Sequence, residues 1–267
     1  MKKSSPLVSI IMTVYNGMPH LKNSIESLLK QSYSNIEIIV VDDGSTDCSY
    51  NAIKSFKKKY NNIKFFKSVR IGRAKALNYG LEKSNGKFIA INDSDDISSC
   101  ERISKQVDFL KNNIDYVLVG SKIKLYDLQS KKIYNDEFKN RPIDDKDIRK
   151  FFIEGQPIQH STVLYRKESA LKIGKYNTKI NFLIDRDFFI RISNIGKLYN
   201  LNSPLVKIGR GNDQYFRTKY FGRKRRYQDI KYRIIASFKY KSDLKTKIKL
   251  ILLLVWIYIP NNLKINK

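Results

Sequence analysis

The sequence predicts an α/β fold, a mostly parallel sheet flanked by helices, and two observations predict it. Four short β-rich runs, at 8–14, 36–41, 63–66 and 88–91, each end in a polar break. Between them lie stretches with helical spacing, such as Leu21, Ile25, Leu28 and Leu29, or Ala74, Leu77 and Leu81. Strand alternating with helix implies parallel pairing. In an open parallel sheet ligands bind beyond the carboxyl ends of the strands, where the breaks fall. Tyr15, Asn16, Asp42, Asp43, Arg70, Asp93 and Asp95 are therefore expected to converge there.

The later elements follow in order. Residues 101–112 read as a helix, 116–125 as a strand, 144–154 as a helix and 161–165 as a strand. A short helix over 167–173 stops at Gly174, and 185–195 carries Phe188, Phe189, Ile192 and Ile195 at helical spacing. No internal repeat or Pro/Gly/Ser-rich linker is visible. A composition shift near Gly209 places the boundary between a domain of residues 1–210 and a basic, apolar helical tail of residues 211–267. In that tail Ile230, Ile234, Ile235 and Phe238 fall near one helical face, and Leu250 to Ile259 is an unbroken apolar run. Ten residues are too few to cross a bilayer, which needs about 20, but they suit a segment lying on one.

The chain has 267 residues, with 52 Lys and Arg against 25 Asp and Glu, a formal charge of +27 that implies an anionic partner. The excess concentrates between Lys219 and Lys249, where twelve basic residues face only Asp229 and Asp243. Cys48 and Cys100 are far apart, so neither a disulfide framework nor a zinc site is supported, and a reducing cytosol fits. The basic start runs into a strand rather than a signal-peptide core, so no export signal is expected. The first turn, Tyr15-Asn16-Gly17-Met18-Pro19, lacks the Gly-x-Gly-x-x-Gly of dinucleotide folds, and no Walker loop occurs.

Asp93-Ser94-Asp95 offers two hard oxygen ligands on one turn, suited to Mn2+ or Mg2+, ions that keep waters and add phosphate oxygens. A plainer reading is an acidic loop in which Asp96 caps the next helix. After the second strand comes Asp42-Asp43-Gly44-Ser45-Thr46-Asp47, where a carboxylate can accept the imino N–H of uracil, a donor that cytosine lacks. The same turn also suits a helix start capped by Ser45, Thr46 or Asp47.

These residues carry a resemblance. Blocks at 8–17, 41–47, 72–81, 92–96, 158–166 and 184–192 resemble those of glycosyltransferase family 2, inverting enzymes of the GT-A fold, so the resemblance covers most of residues 5–218. It is nearest to bacterial enzymes that assemble capsule, exopolysaccharide or O-antigen repeats on a lipid carrier. It implies that Thr13, Tyr15 and Asp43 hold the nucleoside, Asp93 the ribose side and Asp95 the metal, with Ser94, Asn16 and Asp42 also among the nucleotide-sugar contacts. Arg70 and Lys75 fall at basic contacts near the base and diphosphate. The family's general base is an acid at the start of a helix, a place that Asp185 takes in Ile184-Asp185-Arg186-Asp187. Asp187 instead has Arg191 four residues on, the spacing of a surface ion pair. Many relatives carry a histidine after an Arg near the end of the domain, whereas here the stretch is Ile208-Gly209-Arg210-Gly211-Asn212-Asp213, leaving Arg210, Arg217 or the Gly-rich loop for that task. His160 is expected to support the acceptor-side wall.

The expected function is transfer of a sugar from a nucleotide diphosphate, a UDP-sugar, to a lipid-linked or growing glycan. The expected place is the cytoplasm, peripheral on the anionic inner face of the membrane. A sugar-phosphate nucleotidyltransferase is the enzyme alternative, but it needs a Gly-rich basic loop after the first strand that residues 15–19 do not provide. A basic nucleic-acid-binding protein is the non-enzyme alternative, suggested by the charge and by Arg223-Lys224-Arg225-Arg226; no nucleic-acid partner is expected.

Overall fold

Strands β1 (Val8–Val14), β2 (Ile36–Asp43), β3 (Ile63–Ser68) and β4 (Phe88–Ile91) alternate with helices α1 (Leu21–Leu29), α2 (Ser49–Lys59) and α3 (Arg73–Lys83). The computed structural model describes residues 5–135, 141–211 and 223–258. The four strands pair in parallel in the order β3-β2-β1-β4. Both faces of β1 and β2 are covered, which is why their middles, Ile10–Met12 and Ile38–Val41, are apolar runs instead of alternating. Ile10 and Met12 pack towards α1, α2 and the later helix over Arg102–Asn112, while Ile11, Ile39 and Val41 face α3.

The second half is β5 (Ile97–Ser98), α4 (Arg102–Asn112), β6 (Tyr116–Asp127), β7 (Ile133–Asn135), α5 (Asp145–Phe151), a 3-10 turn (His160–Thr162), β8 (Leu164–Arg166), α6 (Lys167–Lys172), α7 (Ile184–Ile192) and β9 (Lys197–Arg210). Here the sheet is mixed. β8 inserts antiparallel between β4 and β6, β9 runs parallel to β6, and β5 closes the edge antiparallel to β9. The expected strand over 161–165 is a turn up to Thr162, because the Thr162 hydroxyl and amide both donate to the Gln159 carbonyl. No strand is expected at 197–210, where Asn200, Asn202, Ser203 and Pro204 interrupt the apolar pattern. β9 forms there nonetheless, with irregular register against β6, and the Asn200 amide donates to the Pro142 and Pro157 carbonyls.

Two helices follow, α8 (Arg223–Lys239) and α9 (Leu244–Tyr258). α8 lays Tyr232 and Ala236 into the core beside Phe188 and Phe189. The face expected to be apolar is thus divided: Ile230 is buried, but Ile235 and Phe238 are exposed. Polar anchors explain this, since Gln228 donates to the Phe182 carbonyl, Arg186 pairs with Asp229 at 2.6 Å, and Arg233 donates to the Ile153 carbonyl. Asn212, Asp213, Arg217 and Ile259, singled out in the sequence, lie outside the described residues.

Candidate functional site

The turn after β4 separates its side chains by direction. Asn92 and Asp96 are buried, whereas Asp93, Ser94 and Asp95 are half-exposed. Asn92 organises the turn. Its amide donates to the Ser24 hydroxyl and to the carbonyls of Asp93 and Asp96, and its carbonyl oxygen accepts from Ser98 and Arg102. Arg102, fully buried, also donates to the Ile91 and Val163 carbonyls and so ties β4 to the chain entering β8. Burial brings its guanidinium down to about 9, with Asp96 and Asp93 opposing that fall. Asp96 is not a helix cap. One of its carboxyl oxygens accepts the Gly209 amide of β9 at 2.9 Å, and burial, reinforced by Asp95 and Asp93, raises its pKa well above the usual carboxylate range. A Cβ at Gly209 would lie 2.4 Å from the Asp95 carbonyl oxygen, so β9 and the acidic turn approach at a distance only glycine permits.

Arg73, at the first position of α3, reaches this turn, and sequence reasoning passed it over for Arg70 and Lys75. Its Nη2 donates to Asp93 at 2.6 Å and contacts His160 Nδ1 at 3.1 Å. Lys75 is exposed two residues further along the same helix; two residues turn roughly 200° around an α-helix, so the two cations leave in nearly opposite directions. Asp93, Asp185 and Asp95 each raise the Arg73 pKa against the effect of burial. Burial alone would raise Asp93, but Arg73 beside it holds its carboxyl below the ordinary value. His160 contacts the Tyr176 hydroxyl through Nε2 at 2.9 Å, and burial together with Arg73 lowers its pKa to about 4, so the ring is neutral. It then accepts from Arg73 at Nδ1 and donates to Tyr176 from Nε2.

The ends of β1, β2 and β3 form the other side. Tyr15 is exposed, and the Arg70 guanidinium sits 3.0 Å from its ring centroid. Asp43 accepts the Ile71 amide at 2.7 Å and the Gly72 amide at 3.0 Å, with Arg70 at 3.9 Å, so it fastens the β3–α3 turn to β2. Asp42 is fully enclosed: one oxygen accepts the Ser45 amide, and the other has no hydrogen-bond partner. Asn16, in a left-handed conformation, donates to the Ser45 and Thr46 hydroxyls and accepts the Thr46 amide, which locks the first turn against the second. Asp47 accepts the Ser49 amide at the start of α2 and the Met18 amide as well. Thr13 is half-buried at the end of β1.

Asp185 and Asp187 share a helix and differ in surroundings. α7 starts from Leu183 in the left-handed region (φ 52°), an uncommon conformation for a branched apolar residue. Asp185, half-buried in the first turn, accepts from Gln156 at 3.0 Å, and Gln156 in turn accepts from Arg186. Gln156 had no signal in the sequence. Asp187 pairs with Arg191, as the spacing predicts, but the pair is not on the surface. Asp187 is only 7 % exposed and also accepts from the Tyr232 hydroxyl at 3.0 Å, so both of its oxygens are engaged.

Among the described residues no group of three or more His, Cys, Asp or Glu side chains forms a metal cage. Two half-exposed hard-oxygen donors on one turn instead suit a divalent ion that keeps its waters and draws further ligands from a phosphate group. The donor set fits Mn2+ or Mg2+ in that form.

Residues 9–174 match the profile of Glycosyl transferase family 2. An uncharacterized glycosyltransferase of Haemophilus influenzae is 30 % identical over 77 % of this chain, which spans 66 % of that protein, just under two thirds. The amylovoran biosynthesis glycosyltransferase AmsE of Erwinia amylovora is 28 % identical over 78 % of this chain and 77 % of its own length. In shape the chain is similar to S. aureus TarS 1-349 in complex with UDP-GlcNAc, with a TM-score of 0.70 at 17 % identity over 94 % of this chain and 71 % of that one.

Proposed function

The chain belongs to glycosyl transferase family 2, and from that premise we propose that it is an inverting enzyme moving a sugar from a UDP-sugar to a hydroxyl of a lipid-linked or growing bacterial surface glycan. One observation carries the reading: Arg73 Nη2 donates to Asp93 at 2.6 Å at the carboxyl edge of the sheet, and the charges of Asp185 and Asp95 also raise its pKa. This supports reading the acidic turn after β4 and the carboxylate of α7 as parts of one site. The relative in amylovoran biosynthesis supports a polysaccharide product, and the UDP-GlcNAc complex of the similar fold supports a UDP-linked donor.

Tyr15 and Arg70 would receive the base, with Thr13, Asn16, Asp42 and Asp43 shaping that pocket and a lone pair of Asp43 left over from the Ile71 and Gly72 amides accepting the imino group. Asp93, steadied by Arg73, would meet the ribose beside Ser94. Asp95 would hold Mn2+ or Mg2+, whose charge offsets that growing on the departing diphosphate. Asp185 takes the proton of the acceptor hydroxyl as that oxygen attacks the anomeric carbon and the bond to the diphosphate breaks. Attack opposite the leaving group inverts the centre. Gln156 donates to Asp185 and keeps its carboxylate aimed.

Metal-dependent hydrolysis across a panel of nucleotide sugars tests this reading: turnover of one UDP-sugar is expected, and inertness towards every nucleotide sugar would overturn it. The acceptor reading places the enzyme on the anionic inner face of the cytoplasmic membrane.

A further inference from the structure

Among the described residues, nine of the sixteen exposed large hydrophobic ones lie between Tyr227 and Trp256, far more than the rest leaves uncovered for its length. On α9 the arrangement is one-sided. Leu250 and Ile257, seven residues apart and thus on one line of the helix, are 3 % exposed, and α9 packs along α8. Leu244, Ile248, Ile251, Leu252, Val255 and Trp256 fall on the opposite side at i, i+3 and i+4 spacing, and their exposure runs from 43 % to 71 %. Phe238 (59 % exposed) of α8 adds to this surface, since Lys247 Nζ lies 5.0 Å from its ring centroid and brings that ring beside α9; Ile235 (39 %) is exposed one turn before it on α8.

Charge flanks the stripe. Lys245 and Lys249 are exposed on one border and Lys247 lies on the other, with no acid anywhere in residues 244–258. The two acids of the helical pair are already used: Asp229 pairs with Arg186 and Arg233, and Asp243 accepts from Thr246 at the start of α9. Among the described residues no helix is long and apolar enough to cross a membrane. An apolar stripe edged by lysines and too short to span has the form of a helix lying in a lipid interface.

We propose that the outer face of α9, with Ile235 and Phe238, docks on an anionic lipid bilayer. The biological purpose of this face rests on the reading of a membrane-linked acceptor, while the binding itself does not. The geometry also divides the expected tail by role. The inner face of α8 is bracketed to α7, the helix carrying Asp185, through the Arg186–Asp229 pair, the Tyr232–Asp187 bond and Lys239, which contacts the Ile190 carbonyl and the Ser193 hydroxyl. α9 contributes the docking surface, and docking therefore fixes the orientation of the Asp185 helix relative to the lipid.

Trp256 is the sole tryptophan of the chain and lies on this face, so its emission reports the contact directly. The full chain would be titrated with phosphatidylcholine vesicles and with vesicles that also contain phosphatidylglycerol, following emission and co-sedimentation. A blue shift and sedimentation confined to the anionic vesicles, weakened by salt, are expected. Leu252→Glu with Val255→Glu changes exposed positions, so folding should survive, as a circular-dichroism melt would check. The pair should lower the vesicle partition roughly tenfold or more. Lys245→Glu with Lys249→Glu should erase the anionic preference. No shift on any vesicle, equal binding to neutral lipid, or wild-type binding by the Leu252/Val255 variant would overturn the proposal. A concentration-dependent shift without lipid, together with a dimer by light scattering, would also overturn it in favour of self-association. UDP-sugar hydrolysis by the wild-type chain separates the two readings: absent hydrolysis with intact docking defeats the enzyme reading alone, and intact hydrolysis without docking defeats this one alone.

Discussion

The guanidinium of Arg73 and the carboxylate of Asp93 meet at 2.6 Å across the gap between the start of α3 and the end of β4. The pair joins two turns that are 20 residues apart, and the neutral ring of His160 closes it from behind. Asp93 is thereby held in one orientation before any ligand arrives.

Loss of this pair should cost function more than fold. Arg73→Ala leaves a partly enclosed carboxylate without its partner, a change of roughly 2–5 kcal/mol in comparable charge pairs. UDP affinity measured by calorimetry should fall, with Arg73→Lys recovering part of it. Affinity equal to wild type in Arg73→Ala would show that Asp93 needs no such support.

Asp95→Ala should reduce turnover by about a thousandfold, the scale seen when a stabiliser of developing charge is removed, and should also abolish the response of activity to added Mn2+. Undiminished turnover, or full activity in excess chelator, would contradict the assignment.

The two carboxylates of α7 should separate chemistry from stability. Asp185→Asn is expected to collapse kcat while UDP affinity stays near wild type. Asp187→Asn loosens Arg191 and Tyr232 and should lower Tm while leaving more activity than Asp185→Asn. The reverse pattern would mean that the base sits at Asp187.

Arg102→Met should be among the most damaging substitutions outside the reacting groups. It strips hydrogen bonds from the Asn92 side chain and from the Ile91 and Val163 carbonyls, with a cost of about 3–5 kcal/mol expected for one member of a buried polar network. Urea denaturation measures it, and a loss within about 0.5 kcal/mol would sink the idea that Arg102 supports the acidic turn.

Stability should also depend on pH through His160. Its folded pKa is lowered to about 4, whereas an unfolded histidine titrates near 6.5. Between those values the unfolded chain takes up a proton that the folded chain refuses, so the stability present above about 6.5 is lost as the pH falls towards 4. His160→Gln should therefore show a smaller drop in Tm from about pH 7 to about pH 5 than wild type. Identical drops in the two proteins would remove His160 as the cause.

The sequence by itself determined the parallel half of the sheet and the acidic turn at its edge, because both are local. The apolar runs of β1 to β4 and the helical spacing between them are read within a few residues, and in a parallel sheet strand ends become neighbours whatever the loops do. The Asp187–Arg191 pair was legible for the same reason, since a helix fixes the distance between i and i+4; its burial was not, because Tyr232 arrives from 45 residues away. Tertiary structure alone decided which cation reaches Asp93. Arg73 and Lys75 are equivalent as letters, and only the rotation of α3 against the sheet sends one into the site and the other to solvent. It likewise decided that Asp96 serves β9 rather than α4, that Gln156 steadies Asp185, and that α8 covers the core while α9 presents its apolar side outward. Each of these depends on contact between segments distant in sequence, and the free energy of such contacts comes from packing and enclosure that no local periodicity encodes.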